Sequence, residues 1–445
     1  MIFINIIFGK FVLFLIRVFS LGDGSTWPGH ILLKLNKNFV KDLLKMNKQL
    51  NCVLIVGTNG KTTTSSLIDH ILKKLDKKCF RNNEGANLLN GIASAFLKNA
   101  TLTGRLEYDY ALFEVDEFNL PFVLQQITPS AIIVLNLFRD QLDRYGEVNE
   151  IHNRWLKAFK QLTPNTQIFT NGDDPYLYYL VKDLDCRKNY FGVDIGKMKR
   201  TDLPHDIDFS YCPACFHPLQ FQKISFSHLG KYLCENCGIS SPKVEDFADR
   251  SLKYPLKGLY NIYNVNAALM FIENEVTPIK NKDLNYLLSG FMPIFGRQEP
   301  IIYQERKVFL HLVKNPVGFN QTLETLFKTK IRSNANFLIL LNDRIPDGRD
   351  ISWIWDVDFD RLLLTAKYIS IGGDRAFEMY LRLKYETVLL PIDKVRRIKL
   401  KVYRSAEEAV AKSIMNLKQN EPLFVLATYS AMLEVRKILV GNKTK

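Results

Sequence analysis

The chain has 445 residues, too many for one typical core, so about two to four domains are expected. Its 47% hydrophobic and 24% charged residues exclude a disordered chain, and no low-complexity tract or internal repeat points to a solenoid. The net charge of +14 favours polyanionic partners (nucleotides, nucleic acid or an anionic membrane surface) without choosing among them.

Ile2 to Phe19 is strongly apolar but is interrupted by Lys10 and Arg17. Its longest unbroken run, Phe11–Ile16, is shorter than a signal-peptide core, and no small-residue cleavage site follows, so neither a signal peptide nor a comfortable membrane span is expected. Lys10 and Arg17 lie on one face of a helix, as a surface-lying helix would place them; a helix packed on the protein's own body fits the pattern equally. Residues 1–40 form an apolar and basic segment on this reading, and Lys34, Lys37, Lys41, Lys45 and Lys48 cluster around its end. Seven cysteines, four of them in CxxC pairs, point to a reducing compartment and a bound metal rather than to disulfides. The chain therefore reads as cytoplasmic, with peripheral attachment at the inner face of a membrane left open.

Cys52–Val56 is a short apolar run followed by a glycine-rich turn and a helical pattern carrying Leu67, Ile68, Ile71, Leu72 and Leu75 on one face. Tyr110–Val115, Ala131–Leu135 and Gln167–Thr170 are further buried-strand candidates. Continuous apolar strands alternating with helices predict a mostly parallel sheet covered on both faces. The pattern is interrupted at about 195–252 and resumes with an Asn-rich helix. A second α/β set follows Pro300: Val308–Leu312, Phe337–Leu341, Tyr368–Ile371 and Leu423–Ala427. The expected division is a central domain over 41–298, with a cysteine-bearing insert over about 205–245, and a smaller α/β domain over 299–445.

Gly57-Thr58-Asn59-Gly60-Lys61-Thr62-Thr63-Thr64 follows a strand and opens a helix, the context of a phosphate-binding loop. Its glycines let backbone N–H groups approach phosphate oxygens, and the helix N-terminus adds a favourable dipole. Lys61 suits the β- and γ-phosphates of ATP, and the Thr62 hydroxyl suits Mg2+. The two glycines are three residues apart instead of five. Cys212-Pro-Ala-Cys215 and Cys234-Glu-Asn-Cys237 have the spacing of two zinc knuckles. Four thiolates leave no open coordination position, so a structural Zn2+ is expected.

The shortened loop resembles that of the Mur ligases and folylpolyglutamate synthases, and further segments match in order. Glu114, in Leu112-Phe-Glu-Val-Asp-Glu117, stands where that superfamily keeps a magnesium-binding glutamate. Asn136-Leu-Phe-Arg-Asp-Gln-Leu-Asp-Arg-Tyr-Gly146, Asn171-Gly-Asp-Asp-Pro175, Gly258-Leu-Tyr-Asn-Ile-Tyr-Asn264 and Gly296-Arg297 continue the series. Gln141 replaces a family histidine. Asn261 and Asn264 read either as nucleotide contacts or as helix packing, and Arg297 as a phosphate clamp at a domain junction. The cysteine insert, Asn82-Asn-Glu-Gly-Ala-Asn87 and Asp347-Gly-Arg-Asp-Ile-Ser-Trp-Ile-Trp-Asp356 together resemble the MurT family. Its members are the ligase subunits of lipid II isoglutaminyl synthases, each working with a glutaminase subunit, GatD.

The resemblance implies ATP-dependent amidation of the D-glutamate α-carboxylate in lipid II, with ammonia supplied by a glutaminase partner in a heterodimer. It also implies that an Asp of the C-terminal segment completes the partner's Cys-His triad: Asp350 first, Asp356 second. No cysteine of this chain has a nucleophile's context, which agrees with that division of labour. The alternatives are a single-chain amino-acid ligase of the Mur or folylpolyglutamate type and, from another class, a zinc-ribbon nucleic-acid-binding ATPase. The ribbon's basic residues, Lys223 and Lys231, are few, and no nucleic-acid partner is expected.

Overall fold

The computed structural model describes residues 2–19, 24–82, 85–140, 147–194, 204–247, 252–292, 296–328, 335–391, 398–418 and 421–441. Gln141, Asp143, Asn83, Glu84 and the side chain of Arg17 lie outside the described part. Two six-stranded sheets organise the chain.

The first contains β1 (Asn51–Val56), β2 (Cys79–Arg81), β3 (Tyr110–Val115), β4 (Ala131–Val134), β5 (Gln167–Asn171) and β6 (Arg187–Phe191). Its order is β2-β3-β1-β4-β5-β6 and every pairing is parallel. The strands read as unbroken apolar runs because both faces are covered: Val53 and Ile55 enter one core, Leu54 and Val56 the other. Strand order reverses around β1, and the crevice at the carboxyl ends of the strands there is where open parallel sheets bind ligands.

The described residues between 2 and 40 share the central domain's core rather than standing apart: they include α1 (Ile2–Val18), α2 (Trp27–Leu35) and the start of α3 (Phe39–Met46). Ile6, Leu13, Leu32, Phe39, Val40 and Leu43 share a core with Leu54 and Val56 of β1. Helix α4 (Lys61–Lys74) follows β1, and α5 (Leu89–Asn99) packs against α2. Gly29 lets these two helices touch: its N–H donates to Ser94 Oγ at 2.8 Å, and any side chain there would meet the α5 backbone.

The insertion carries a hairpin, β7 (Gln220–Phe226) and β8 (Leu229–Leu233). The helix Leu259–Glu275 then returns to the first sheet, and the chain enters the second: β9 (Arg297–Tyr303), β10 (Arg306–Leu312), β11 (Ala335–Leu340), β12 (Ala366–Gly372), β13 (Lys399–Val402) and β14 (Leu423–Ala427). The order is β13-β12-β11-β14-β10-β9, parallel except for β9, which pairs antiparallel with β10. Arg297 and Gln298 therefore already belong to the second sheet, two residues before the expected boundary.

Candidate active site

The phosphate-loop candidate connects β1 to α4 in a backbone conformation that only glycine adopts easily: φ is +140° at Gly57 and +94° at Gly60. A Cβ on Gly60 would collide with Asn264 Oδ1. Asn136, just after β4, fixes the loop, accepting from Asn59 N–H at 2.8 Å and donating to Asn59 O at 2.9 Å. Lys61 is buried, and its ammonium donates to Glu117 Oε2 at 3.2 Å and to the Gly57 carbonyl. Thr62 Oγ1 and Ser65 Oγ donate to the two oxygens of Glu114 at 2.7 and 2.8 Å. Asn82 pins the Glu114 backbone through its N–H and carbonyl, both at 2.9 Å.

The second domain closes over this loop. Arg297 reaches Thr62 Oγ1 at 3.3 Å, Lys314 forms an ion pair with Asp140, and the Asn315 and Asn59 side chains meet at 3.2 Å. Asn59, Lys61, Thr62, Glu114, Asp140, Arg297 and Lys314 line one cavity of about 420 Å³, with Asn261 and Asn264 on one wall and Pro346, Tyr429 and Met432 on another. Burial pushes the Glu117 carboxyl above the usual carboxylate range, against the pull of Lys61. Burial alone would lower the Lys314 ammonium, but Asp140 and Glu117 hold it above its ordinary value. His311, on β10, has an unpartnered Nε2, and burial takes it down to about 4, so it is neutral near pH 7.

The donors suit a nucleoside triphosphate: loop N–H groups with Lys61 and Arg297 for phosphate oxygens, and Thr62 Oγ1 with a Glu114 oxygen for a hard divalent cation. Asn261 and Asn264 pack together on their helix and line the cavity. Asn264 donates to Asn261 Oδ1 at 3.1 Å, and both buried amides also face the cavity.

The four insert cysteines converge, with ligand sulfurs all within 4.8 Å of one another and the pairs Cys212–Cys237 and Cys215–Cys234 at 3.5 Å. A tetrahedral zinc with bonds of about 2.3 Å requires sulfurs about 3.8 Å apart, so the set fits. Each CxxC closes the same turn: Phe216 N–H donates to Cys212 O and Gly238 N–H to Cys234 O, both at 2.9 Å. The ribbon sits on the Asp173-Asp174 pair, which receives Lys231 and His228, each at 3.3 Å. Lys231 is thus paired within its own chain.

Asp350 and Asp356 differ sharply. Asp356 Oδ2 accepts from Arg139 at 2.6 Å, an ion pair between the two domains. Asp350 Oδ1 accepts the Ser352 N–H at 2.8 Å, and among the described residues its carboxylate has no ion pair. Trp353 packs inward near Phe319, whereas Trp355 is half exposed and stands edge-on to Tyr385. Tyr385 belongs to the helix Ala376–Val388, whose Phe377, Leu381 and Val388 are also exposed.

The Mur ligase middle-domain family matches residues 55–272, and the MurT ligase C-terminal family matches 312–432. The Streptococcus pneumoniae lipid II isoglutaminyl synthase (glutamine-hydrolyzing) subunit MurT is 32% identical, over 95% of this chain and 94% of its own length. The chain belongs to the MurT family. The Staphylococcus aureus (strain COL) MurT subunit is 34% identical over 83% of this chain and 84% of its own. At the level of fold, a pseudomurein peptide ligase type C from Methanothermus fervidus has TM-score 0.62 and 20% identity, covering 90% of this chain and 80% of that one. Mycobacterium tuberculosis folylpolyglutamate synthase, solved with ADP and AMPPCP, has TM-score 0.60 and 14% identity, covering 91% and 95%.

Several residues at this MurT-family cavity escape sequence reasoning: Glu117, His311 and Lys314 line it, and Asn315 stands beside it against Asn59. One signal was legible. Lys314-Asn315-Pro316 leads into a helix, with Pro at its start and Asn315 Oδ1 accepting from Gly318 N–H at 2.8 Å, a capping arrangement next to the cavity-lining Lys314.

Proposed function

We propose that this MurT-family chain uses ATP to amidate the α-carboxylate of D-glutamate in the stem peptide of a lipid-linked muropeptide, with ammonia supplied by a glutaminase subunit. The observation that carries the reading is the convergence of Lys61, Arg297, Lys314 and the Thr62–Glu114 pair on one cavity between two domains. A substrate carboxylate oxygen attacks the γ-phosphorus, ADP leaves, and an acyl phosphate forms. Ammonia adds to the acyl carbon, inorganic phosphate departs, and a proton is lost to give the amide. Lys61 and Arg297 hold the transferring phosphoryl charge, and Mg2+ on Thr62 and Glu114 would supply further neutralisation. Arg297 arrives with the second domain, so domain closure assembles the site.

The insert is a structural zinc ribbon on this reading, since four thiolates saturate the ion. The glutaminase docks on the second domain. Pro346 lines the cavity, Asp350 lies four residues further on, and Trp355 joins the exposed apolar face of the Ala376–Val388 helix. One segment thus runs from the ligase cavity to a surface of interface composition. Asp350 then accepts the partner histidine's N–H and fixes its tautomer.

The test is mass-spectrometric detection of D-isoglutamine in a lipid-linked muropeptide incubated with this chain, Mg-ATP and ammonium, and then with glutamine and the co-purified glutaminase. Product without ATP, or attachment of an amino acid in place of an amide, would overturn the proposal.

A further inference from the structure

The outer face of α1 is wholly apolar. Ile4, Ile7, Phe8, Phe11, Phe14 and Val18 recur at three- and four-residue spacing and are 42–70% exposed. The opposite face packs on the body: Ile6 and Leu13 are buried, and Gly9 lies against Leu97 and Leu32. Lys10 is only half-buried at the margin between the two faces. The helix is therefore both things its sequence allows, a packed helix and one with a second apolar face turned outward. A contiguous apolar face of this size on a water-soluble surface calls for an occupant.

The surroundings identify its chemistry. Helix α2 exposes Trp27, His30 and Lys34 on one side. Lys37, Lys41, Lys45 and Lys48 follow, all exposed, and the only carboxylate between 24 and 50 is Asp42, which pairs with Lys45 at 3.0 Å. The apolar surface continues past the start of α1. A Cβ on Gly104 would lie 3.1 Å from Ile6 and 3.6 Å from Met46, and both Met46 and the nearby Leu102 are exposed. An exposed aromatic and aliphatic face with exposed lysines on the neighbouring helices α2 and α3 and their flanking loops matches an anionic bilayer surface, where the apolar face enters the acyl boundary and the ammonium groups meet lipid phosphates. Among the described residues no helix is long and apolar enough to cross a membrane, so the contact is in-plane.

We infer that α1 and the lysines after it are a docking surface for an anionic lipid bilayer, lying parallel to the membrane and holding the central domain against it. This stands on the exposed face itself and does not require the ligase reading; if that reading holds, docking also brings the cleft to a lipid-linked substrate.

The test is flotation of the full-length chain with phosphatidylcholine vesicles containing about one-third phosphatidylglycerol, compared with pure phosphatidylcholine. Wild type is expected to float with the anionic vesicles. Ile7→Gln/Phe11→Gln/Phe14→Gln should lower the partition coefficient by at least about a hundredfold. Lys34→Gln/Lys37→Gln/Lys41→Gln should lower it by about fivefold per charge on anionic vesicles only. All six positions are at the surface, so thermal unfolding checks that folding is retained, and a blue shift of Trp27 fluorescence, isolated by comparison with Trp27→Phe, gives an independent reading of insertion. Amidation of a soluble, lipid-free muropeptide should be unchanged in the apolar triple variant, which separates a failure of docking from a failure of the ligase proposal. Wild type that stays with the aqueous phase overturns the inference, and so does a triple variant that floats equally well. Concentration-dependent self-association that the triple variant abolishes, without vesicle binding, assigns the face to a second copy and also overturns it.

Discussion

Exchanging Asp350 and, separately, Asp356 for Asn separates a catalytic-support role from a structural one. Asp350 spends one oxygen on the Ser352 N–H at 2.8 Å, and an Asn keeps that acceptor, so the fold should lose less than about 0.5 kcal/mol. Asp356 gives up an ion pair with Arg139 whose side chains are 33% and 30% exposed; after discounting for solvent screening this is worth about 1 kcal/mol, or a fall in Tm of about 2 °C. Loss of a carboxylate that orients a catalytic histidine costs about 10⁴-fold in the serine-protease template. Asp350→Asn should therefore cut glutamine-dependent amidation by about 10³–10⁴-fold, leave the ammonium-dependent rate within about twofold, and leave the complex intact on size-exclusion chromatography. Asp356→Asn should lower both rates less than about fivefold. Full glutamine use by Asp350→Asn combined with its loss in Asp356→Asn would move the assignment to Asp356. If neither variant discriminates between glutamine and ammonium, the shared triad is wrong.

Lys61→Ala should lower ATP turnover by at least about 10³-fold, read by ADP release. Because it strips the partner from buried Glu117, whose carboxyl is already raised by burial, the variant should also lose stability as pH climbs above about 5, and Glu117→Gln should cancel that slope. Neutral, buried His311 titrates at about 4 in the folded chain and about 6.5 when unfolded, so wild-type stability should fall as pH drops from 6.5 towards 4, by up to about 3 kcal/mol, and His311→Leu should flatten that part of the profile in chemical denaturation. Elemental analysis should find one zinc per chain; a value near zero, or a Cys212→Ser chain with unchanged Tm, would remove the structural-metal assignment.

The central strands were legible because strands buried on both faces read as nearly continuous apolar runs: Tyr110–Val115, broken only by Glu114, and Leu423–Ala427 coincide with β3 and β14. The edge strands were not. β6 reads Arg-Lys-Asn-Tyr-Phe and β13 Lys-Leu-Lys-Val, since an edge strand tolerates charge and loses the apolar run. The candidate phosphate loop announced itself through local spacing, as did the cysteine set. Glu117, Lys314 and Asn315 did not, because their meaning comes from pairings with residues far away in sequence: Glu117 meets Lys61 across neighbouring strand ends of the first sheet, and Lys314 and Asn315 meet Asp140 and Asn59 only where the second domain abuts the first. On α1, Lys10 drew attention in the sequence, whereas the structure's exposed positions there are apolar: Ile4, Ile7, Phe8, Phe11, Phe14 and Val18.

The ribbon's place of insertion has a consequence for solubility. It leaves the first sheet just after its outermost strand and returns alongside it: Glu245 N–H donates to Tyr190 O at 2.9 Å and Gly192 N–H to Glu245 O at 3.2 Å, a short seventh rung laid on β6. An outermost strand presents a row of unpaired amides that invites pairing with another molecule, and here the returning segment covers part of that row. The segment is held in turn by Asp246, which accepts from Asn266 at 2.9 Å, and by the ribbon seated on Asp173 and Asp174. A chain whose four thiols no longer converge would loosen this seal, and the amides of β6 would then be open to strand pairing between molecules. If so, the four cysteines matter at the sheet's edge, where the returning segment covers amides that β6 would otherwise offer another chain.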